Sequence, residues 1–171
     1  KYLEIINLES GRLSRLINNV LSFSRHQKGK SLLKPRTAIP DQIAAGVVEN
    51  FRPALQAKGL GITLDLNASV PFFLDSDVFE QILGNLLSNV EKYASTGGKI
   101  CLKTTISSSQ VHCWVRDFGP GIPHDKLEWV FQPFSRLTDQ LSEGVSGTGI
   151  GLSIARDLAR LHGGDLAIVW S

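Results

Sequence analysis

Two runs of alternating residues, Lys99–Ser107 and Gln110–Asp117, flank the dipeptide Ser108-Ser109, and no other stretch limits the fold so tightly. Alternation on both sides of a two-residue turn marks an antiparallel hairpin with one apolar face, carried in the second run by Val111, Cys113 and Val115. An apolar sheet face must be covered. Helical periodicity supplies the cover three times. One helix is expected from Pro40-Asp41 to about Lys58, stopped by Gly59, and one from Val78 to Ala94 behind the capping sequence Asp75-Ser76-Asp77. A third starts near Thr148–Gly151 and ends at His162-Gly163-Gly164. Shorter strands are expected at Leu32–Ile39, with Pro35 marking an edge, and at Gly61–Leu66, Val70–Leu74 and Asp165–Trp170. A short helix at Pro123–Phe131 precedes a polar Gly/Ser stretch from Ser135 to Ser146. This mixture predicts an α+β fold, a two-layer sandwich with helices over one face of a mixed, mostly antiparallel sheet.

Composition narrows the class. The 171 residues allow one domain with a short appendage, at roughly 100–200 residues per domain. A hydrophobic share of 42% is enough for a core and excludes a disordered chain. No apolar run approaches the ~18 residues of a membrane span, and no basic-then-apolar leader opens the chain, so a cytoplasmic setting without membrane contact by this stretch is expected, with membrane anchoring of a parent protein left open. The balance of 18 basic and 16 acidic residues leaves no broad basic field, which argues against nucleic acid as a partner. Cys101 and Cys113 lie in strand-like runs and read as core thiols of a reducing compartment. The absence of Met points to a processed chain or a piece of a larger protein.

Residues 1–28 carry their own helical pattern, with Leu3, Ile6, Leu13, Leu16, Ile17, Val20, Leu21 and Phe23 recurring at three- and four-residue steps. Gln27-Lys28-Gly29-Lys30 then breaks the pattern as a linker does. A helix packed on its own domain is one reading. A helix separated from the core by a linker buries its stripe on a partner helix instead, and Leu13, Ile17 and Val20 have the spacing for that, most simply across a dimer.

Three motifs carry candidate chemistry. Along the helix from Val78 to Ala94, Gln81, Asn85, Asn89 and Lys92 step by four, four and three and share one stripe. Carboxamide oxygens suit Mg²⁺, and Lys92 can reach phosphate oxygens. A decorated solvent face is the plainer alternative. Alternation next puts Asp117 at the end of the apolar row of Val111, Cys113 and Val115, where a carboxylate is costly unless hydrogen-bonded. Gly119 and Gly121 follow, letting the backbone turn and approach a ligand; a strand-end Asp117 that merely caps a turn is the plainer alternative. Finally, Gly144–Leu152 places Gly147, Gly149 and Gly151 at a helix start. It lacks the Lys-Ser/Thr of a P-loop and the spacing of a dinucleotide fingerprint, and retains the free N–H groups that favour phosphate.

Taken together and in this order, the motifs resemble the ATP-binding catalytic domain of sensor histidine kinases, in the superfamily shared with gyrase, Hsp90 and MutL. Glu80–Ala94 looks like the N box, Asp117–Pro123 the G1 box, Phe131–Arg136 the F box and Gly147–Ala155 the G2 box. Residues 4–25 resemble the second helix of the family's dimerisation domain. The implied division is 1–28, the C-terminal part of that helix, and 29–171, an ATP-binding domain without its final strand. The resemblance implies that Asn89 coordinates the Mg²⁺ bridging the ATP phosphates, with Asn85 beside it and Lys92 on phosphate. It implies that Tyr93 packs along the nucleotide and that Asp117 accepts from the adenine amine. Gly147, Gly149 and Gly151 would present amides to the phosphates, and Gly119, Gly121, Ile122, Thr148 and Leu152 complete the nucleotide's surroundings. Residues 132–146 would form a lid anchored by Phe131 and Phe134, with Arg136 contacting phosphate.

In the gyrase and Hsp90 branch, a Glu four residues before the metal Asn activates water. Asn85 stands there, and a carboxamide is no general base, which favours transfer over hydrolysis. The expected reaction is γ-phosphoryl transfer to a histidine of the dimerisation helix, then to a response regulator receiver domain. None of His26, His112, His124 and His162 has the acidic and Pro context of that acceptor, so each reads as structural or exposed. Two rival readings remain, a degenerate interaction module of the same fold and an ATP-driven clamp.

Overall fold

The structure is a computed structural model describing residues 33–136 and 148–169. The expected helix at 1–28, its linker, Gly147 and Trp170 lie outside the described residues. Helix α1, Pro40–Ala57, opens with Pro40 in its first turn, where a missing N–H costs nothing. It closes as Gly59 takes φ +70° and the Leu60 N–H returns to the Leu55 carbonyl at 2.9 Å. Helix α2, Ser76–Tyr93, is capped by Asp75. Strand β2, Gly61–Asn67, runs parallel to β4, Lys99–Ser107, and β4 pairs antiparallel with β5, Gln110–Asp117. Ser108 and Ser109 make the tight turn at φ 50° and 63°. Among the described residues the two short strands, β1 at Arg36–Ala38 and β3 at Phe72–Leu74, pair only with each other, so the expected sheet divides there into a three-stranded mixed sheet and a two-stranded ribbon.

Helix α2 is the keel of the fold. Leu83, Leu87 and Val90 meet Val47, Val48, Phe51 and Leu55 of α1 and Ile100 and Leu102 of β4 in the main core. Its other side, through Val78 and Ile82, packs on Ile150, Ile154 and Leu158 around helix α3, Gly151–Leu161. At the sheet's far end the buried Asp41 carboxylate accepts from Ala68 N–H at 2.9 Å, from Ser69 Oγ at 2.5 Å and from the fully buried Thr104 hydroxyl. A buried charge needs such partners. Burial, with Asp41 as a second cause, pushes the Cys113 thiol up to about 12, so this free cysteine stays protonated and inert.

Two expected elements differ. Instead of one helix at 123–131 there are two 3₁₀ turns, His124–Lys126 and Trp129–Phe131, held by bonds such as Lys126 N–H to Pro123 carbonyl at 2.8 Å. Nine residues are too few to hold an α-helix unaided, and i→i+3 bonding is the short alternative. Residues 165–169 belong to no sheet among the described residues, and the Leu166 N–H bonds to the Asp165 carboxylate at 2.8 Å instead of a strand. No helix among the described residues is long and apolar enough to cross a membrane.

Asp75 yields a pH prediction. Its carboxylate accepts from Val78 N–H at 3.2 Å and from Lys34 N–H at 2.7 Å, tying α2 to the residues before β1. Burial alone raises this carboxyl, but the N–H groups of Lys34 and Val78, together with His162 and the Asp77 N–H, outweigh it and leave the pKa below its ordinary value. A depressed carboxyl contributes stability in full above its unfolded value of about 3.9 and loses it as pH falls through the folded value. Asp75→Ala is therefore expected to cost about 1 kcal/mol at pH 7. In urea titrations repeated at descending pH, the gap to wild type closes once pH drops below about 4.

Candidate functional site

The expected polar stripe on α2 meets the start of α3. Asn85 is only 6% exposed although it is polar, and its Nδ2 has no hydrogen-bond partner. A buried amide donor left unmet costs roughly 1–3 kcal/mol. The Cβ position of Gly151 faces this pair of asparagines, 3.7 Å from Asn85 Oδ1 and 3.9 Å from Asn89 Oδ1. The first N–H groups of α3 have no acceptor inside the helix, and that helix starts at Gly151, beside the carboxamides. Asn89 and Lys92 are half-buried on the same helix, while Tyr93 at its end is exposed.

Asp117 ends β5 opposite Ile100, at an open edge. Its row is the one expected, with Val111, Cys113 and Val115 half-buried, but Asp117 itself is exposed although its partner Ile100 is a buried core residue. Its Oδ1 accepts the Gly119 N–H at 2.9 Å, which fixes the carboxylate and leaves Oδ2 available. Gly119 is forced by contact, since a Cβ there would stand 2.9 Å from Ala94 Cα and 3.0 Å from Asp117 Oδ1. Gly121 turns the chain at φ +74°, and Ile122 follows half-buried.

Gly97 was not legible as a site residue. A Cβ there would lie 2.4 Å from the Phe118 carbonyl carbon and 2.8 Å from Gly119 N. It is the floor on which the Asp117–Gly119 turn rests. Gly97→Ala should displace the turn and weaken nucleotide affinity by at least tenfold while the chain still folds. Titration with an ATP analogue beside a melting curve checks this, and unchanged affinity would count against the contact's role.

The last motif closes the other wall. Phe131 is buried at 8% exposure, whereas the Phe134 ring is 68% exposed. Phe134 holds its place through the backbone, at φ +67°, with its N–H on the Gly149 carbonyl at 2.9 Å. Gly149 has φ +69°, and a Cβ there would be 2.7 Å from the Ser135 carbonyl oxygen. This left-handed residue keeps Thr148–Ile150 out of the helix, so α3 starts at Gly151. Arg136 and Leu152 are half-buried and Thr148 exposed; Gly147 is outside the described residues. Of the histidines, His162 Nε2 accepts from Asp75 N–H at 3.1 Å, His112 stacks on Trp114 at 5.8 Å, and His124 is exposed; His26 is outside the described residues.

The family model for histidine kinase-, DNA gyrase B- and HSP90-like ATPases matches residues 74–169, which span β3 through the end of the described chain. The chain belongs to this family. Within the ATPase family its relatives are sensor kinases. It is 30% identical over 167 residues to the alginate biosynthesis sensor protein KinB of Pseudomonas aeruginosa, covering 97% of this chain and 27% of KinB. It is 30% identical over 165 residues to the sensor histidine kinase RcsC of Escherichia coli K12, covering 95% of this chain and 17% of RcsC. The chain thus spans less than a third of the length of either relative. Among solved structures, full-length ShkA in complex with AMPPNP aligns at a TM-score of 0.74 and 25% identity, covering 95% of this chain and 34% of ShkA. The expectation of an ATP-binding catalytic domain of a sensor histidine kinase, with its α+β sandwich, holds. In this ATPase family member the structure brings Asn85, Asn89 and Gly151 together and sets Asp117, Gly119 and Gly97 at the far end of α2.

Proposed function

We propose that this domain binds Mg-ATP between α2, the Asp117 turn and the start of α3, and transfers the γ-phosphoryl group to a histidine of a dimerisation helix. The observation that carries the reading is the buried Asn85 carboxamide, its Nδ2 without a partner and its Oδ1 facing the Cβ position of Gly151, with the Asn89 Oδ1 beside it. A carboxamide pair against free helix N–H groups suits a phosphate chain and the cation it carries. The residues present therefore fit the implied metal. Mg²⁺, held by Asn89, would neutralise the charge of the phosphates. Lys92 adds a cation from the last turn of α2, and the N–H groups of Gly149 and Gly151, with Gly147 before them, donate to phosphate oxygens. Asp117 Oδ2 accepts from the adenine amine, and Tyr93, Gly119, Gly121 and Ile122 surround the base. Phe131 and Phe134 hold the near end of residues 132–146, from which Arg136 approaches phosphate, while Thr148 and Leu152 frame the far end.

Asn85 also bears on the reaction. A carboxamide takes no proton from water near neutral pH, so the site lacks at that position a base for hydrolysis. Phosphoryl transfer asks chiefly for positioning and charge neutralisation, which these residues supply. Residues 1–28 serve in this reading as part of the dimerisation helix, pairing two copies, with a response regulator receiver domain as the final acceptor. The test supplies a histidine-bearing helical hairpin in trans and follows label from ATP. Transfer to the hairpin with little phosphate release supports the kinase. Steady release without a hairpin would indicate a clamp ATPase, and no heat on titration with an ATP analogue and Mg²⁺ would indicate an interaction module.

A further inference from the structure

Arg156, in the middle of α3, lies outside every motif named above, yet it gathers three partners from two other segments. Its guanidinium stands 4.4 Å over the Phe131 ring, its Nη1 is 2.7 Å from Glu128 Oε2, and its Nε is 3.1 Å from Asp165 Oδ1. The side chain is 14% exposed. Arg160 Nε reaches the same Asp165 oxygen at 3.1 Å. The Asp165 carboxyl is held well below the usual carboxylate range, with Arg156 as the largest cause, followed by the Leu166 N–H and Arg160. An isolated surface ion pair contributes little. A planar fork that bonds two carboxylates while stacked on a buried aromatic ring is a different object, because it fixes direction as well as distance.

The contacts close into a ring. Arg156 holds Phe131, and three residues later the Phe134 N–H holds the Gly149 carbonyl. Gly149 leads into Gly151, whose Cβ position faces Asn85 and Asn89 on α2. The segment from Glu128 to Ser135 is thereby fastened to α3 twice, by a side chain in mid-helix and by the backbone at its start. We propose that Arg156 is a positioning residue for nucleotide binding, locking the Phe131–Phe134 segment to α3 so that the phosphate-facing N–H groups keep their place. The proposal rests on the ATP-site reading above.

The experiment compares the full chain with Arg156→Met, Arg156→Lys, Glu128→Gln and the Met/Gln double variant. AMPPNP with Mg²⁺ is titrated well below the melting transition, and hydrogen exchange is followed at the Phe134 amide. Arg156→Met should weaken nucleotide binding by about tenfold, in the range of remote coupling changes. It should speed exchange at Phe134 while amides of α1 and β4 stay protected. Lysine should not restore either readout, since an ammonium can neither fork nor stack as arginine does. Glu128→Gln should shift both in the same direction by less, and the double variant should add little to the Met change. Because Glu128 is 81% exposed, its variant folds and decides the matter even if Arg156→Met does not. Wild-type affinity and wild-type Phe134 protection in the variants would overturn the proposal, as would complete rescue by lysine. Failure of the wild-type chain to bind AMPPNP would instead overturn the ATP site itself, and this inference with it.

Discussion

Asn89→Ala is expected to cut label transfer from ATP to a supplied histidine-bearing hairpin by at least about a hundredfold, the scale of removing one preorganised polar group from a charged reaction centre. Asn89 sits one turn beyond Asn85 on α2, with its Oδ1 turned to Gly151 at the start of α3. It is half-buried and stands outside the two apolar clusters, so truncation leaves no cavity among core side chains. Alanine is also the better helix former. The folded state should therefore survive, and circular dichroism with a melting curve separates lost chemistry from lost structure. The carboxamide cannot be replaced from nearby, because Asn85 is buried at a different height on the helix and Lys92 brings positive charge where a cation is to be held. Raising the Mg²⁺ concentration should recover part of the loss if Asn89 acts on the metal, and none if it acts only on shape. Full transfer activity in the variant would refute the metal assignment.

Much of the fold could be read before the structure because its signals are local. The β4–β5 hairpin follows from alternation about Ser108-Ser109, and α2 follows from the Asp75 cap and the run of apolar residues behind it. The failures are all non-local. Whether residues 165–169 form a strand depends on a neighbour to receive their N–H and C=O groups, which no periodicity can report. The stretch 123–131 is too short to hold an α-helix unaided, and the Arg156 that holds its Phe131 is 25 residues away on α3. The candidate site divides in the same way. Asn85 and Asn89 announce themselves as poor residues for a solvated helix face. Gly97 does not, because its reason is a Phe118 carbonyl carbon 2.4 Å from a side chain it lacks. Asp117 was legible as an unusual carboxylate at the end of an apolar row, but not as an exposed one, since the alternation that sets its face does not report what covers that face.

That exposed carboxylate carries the second large effect. In Asp117 one oxygen, Oδ1, already accepts the Gly119 N–H at 2.9 Å, so Oδ2 is the atom presented to a base. Adenine offers an amine to it and guanine a carbonyl oxygen, which the carboxylate repels. Asp117→Asn keeps the Gly119 bond by leaving its oxygen there, and so turns its NH₂ group outward. A donor now meets the adenine amine, also a donor, while the guanine oxygen gains a partner. The ratio of ATP to GTP affinity is therefore expected to fall by about a hundredfold, with ATP binding weakened and GTP binding improved. Because the side chain is exposed and its bond to the Gly119 N–H is kept, stability should be unchanged within about 0.5 kcal/mol. Paired titrations with non-hydrolysable ATP and GTP analogues read the ratio directly. A variant that retains the wild-type preference would show that base selection lies elsewhere, and a variant that loses both nucleotides equally would assign Asp117 to the shape of the turn.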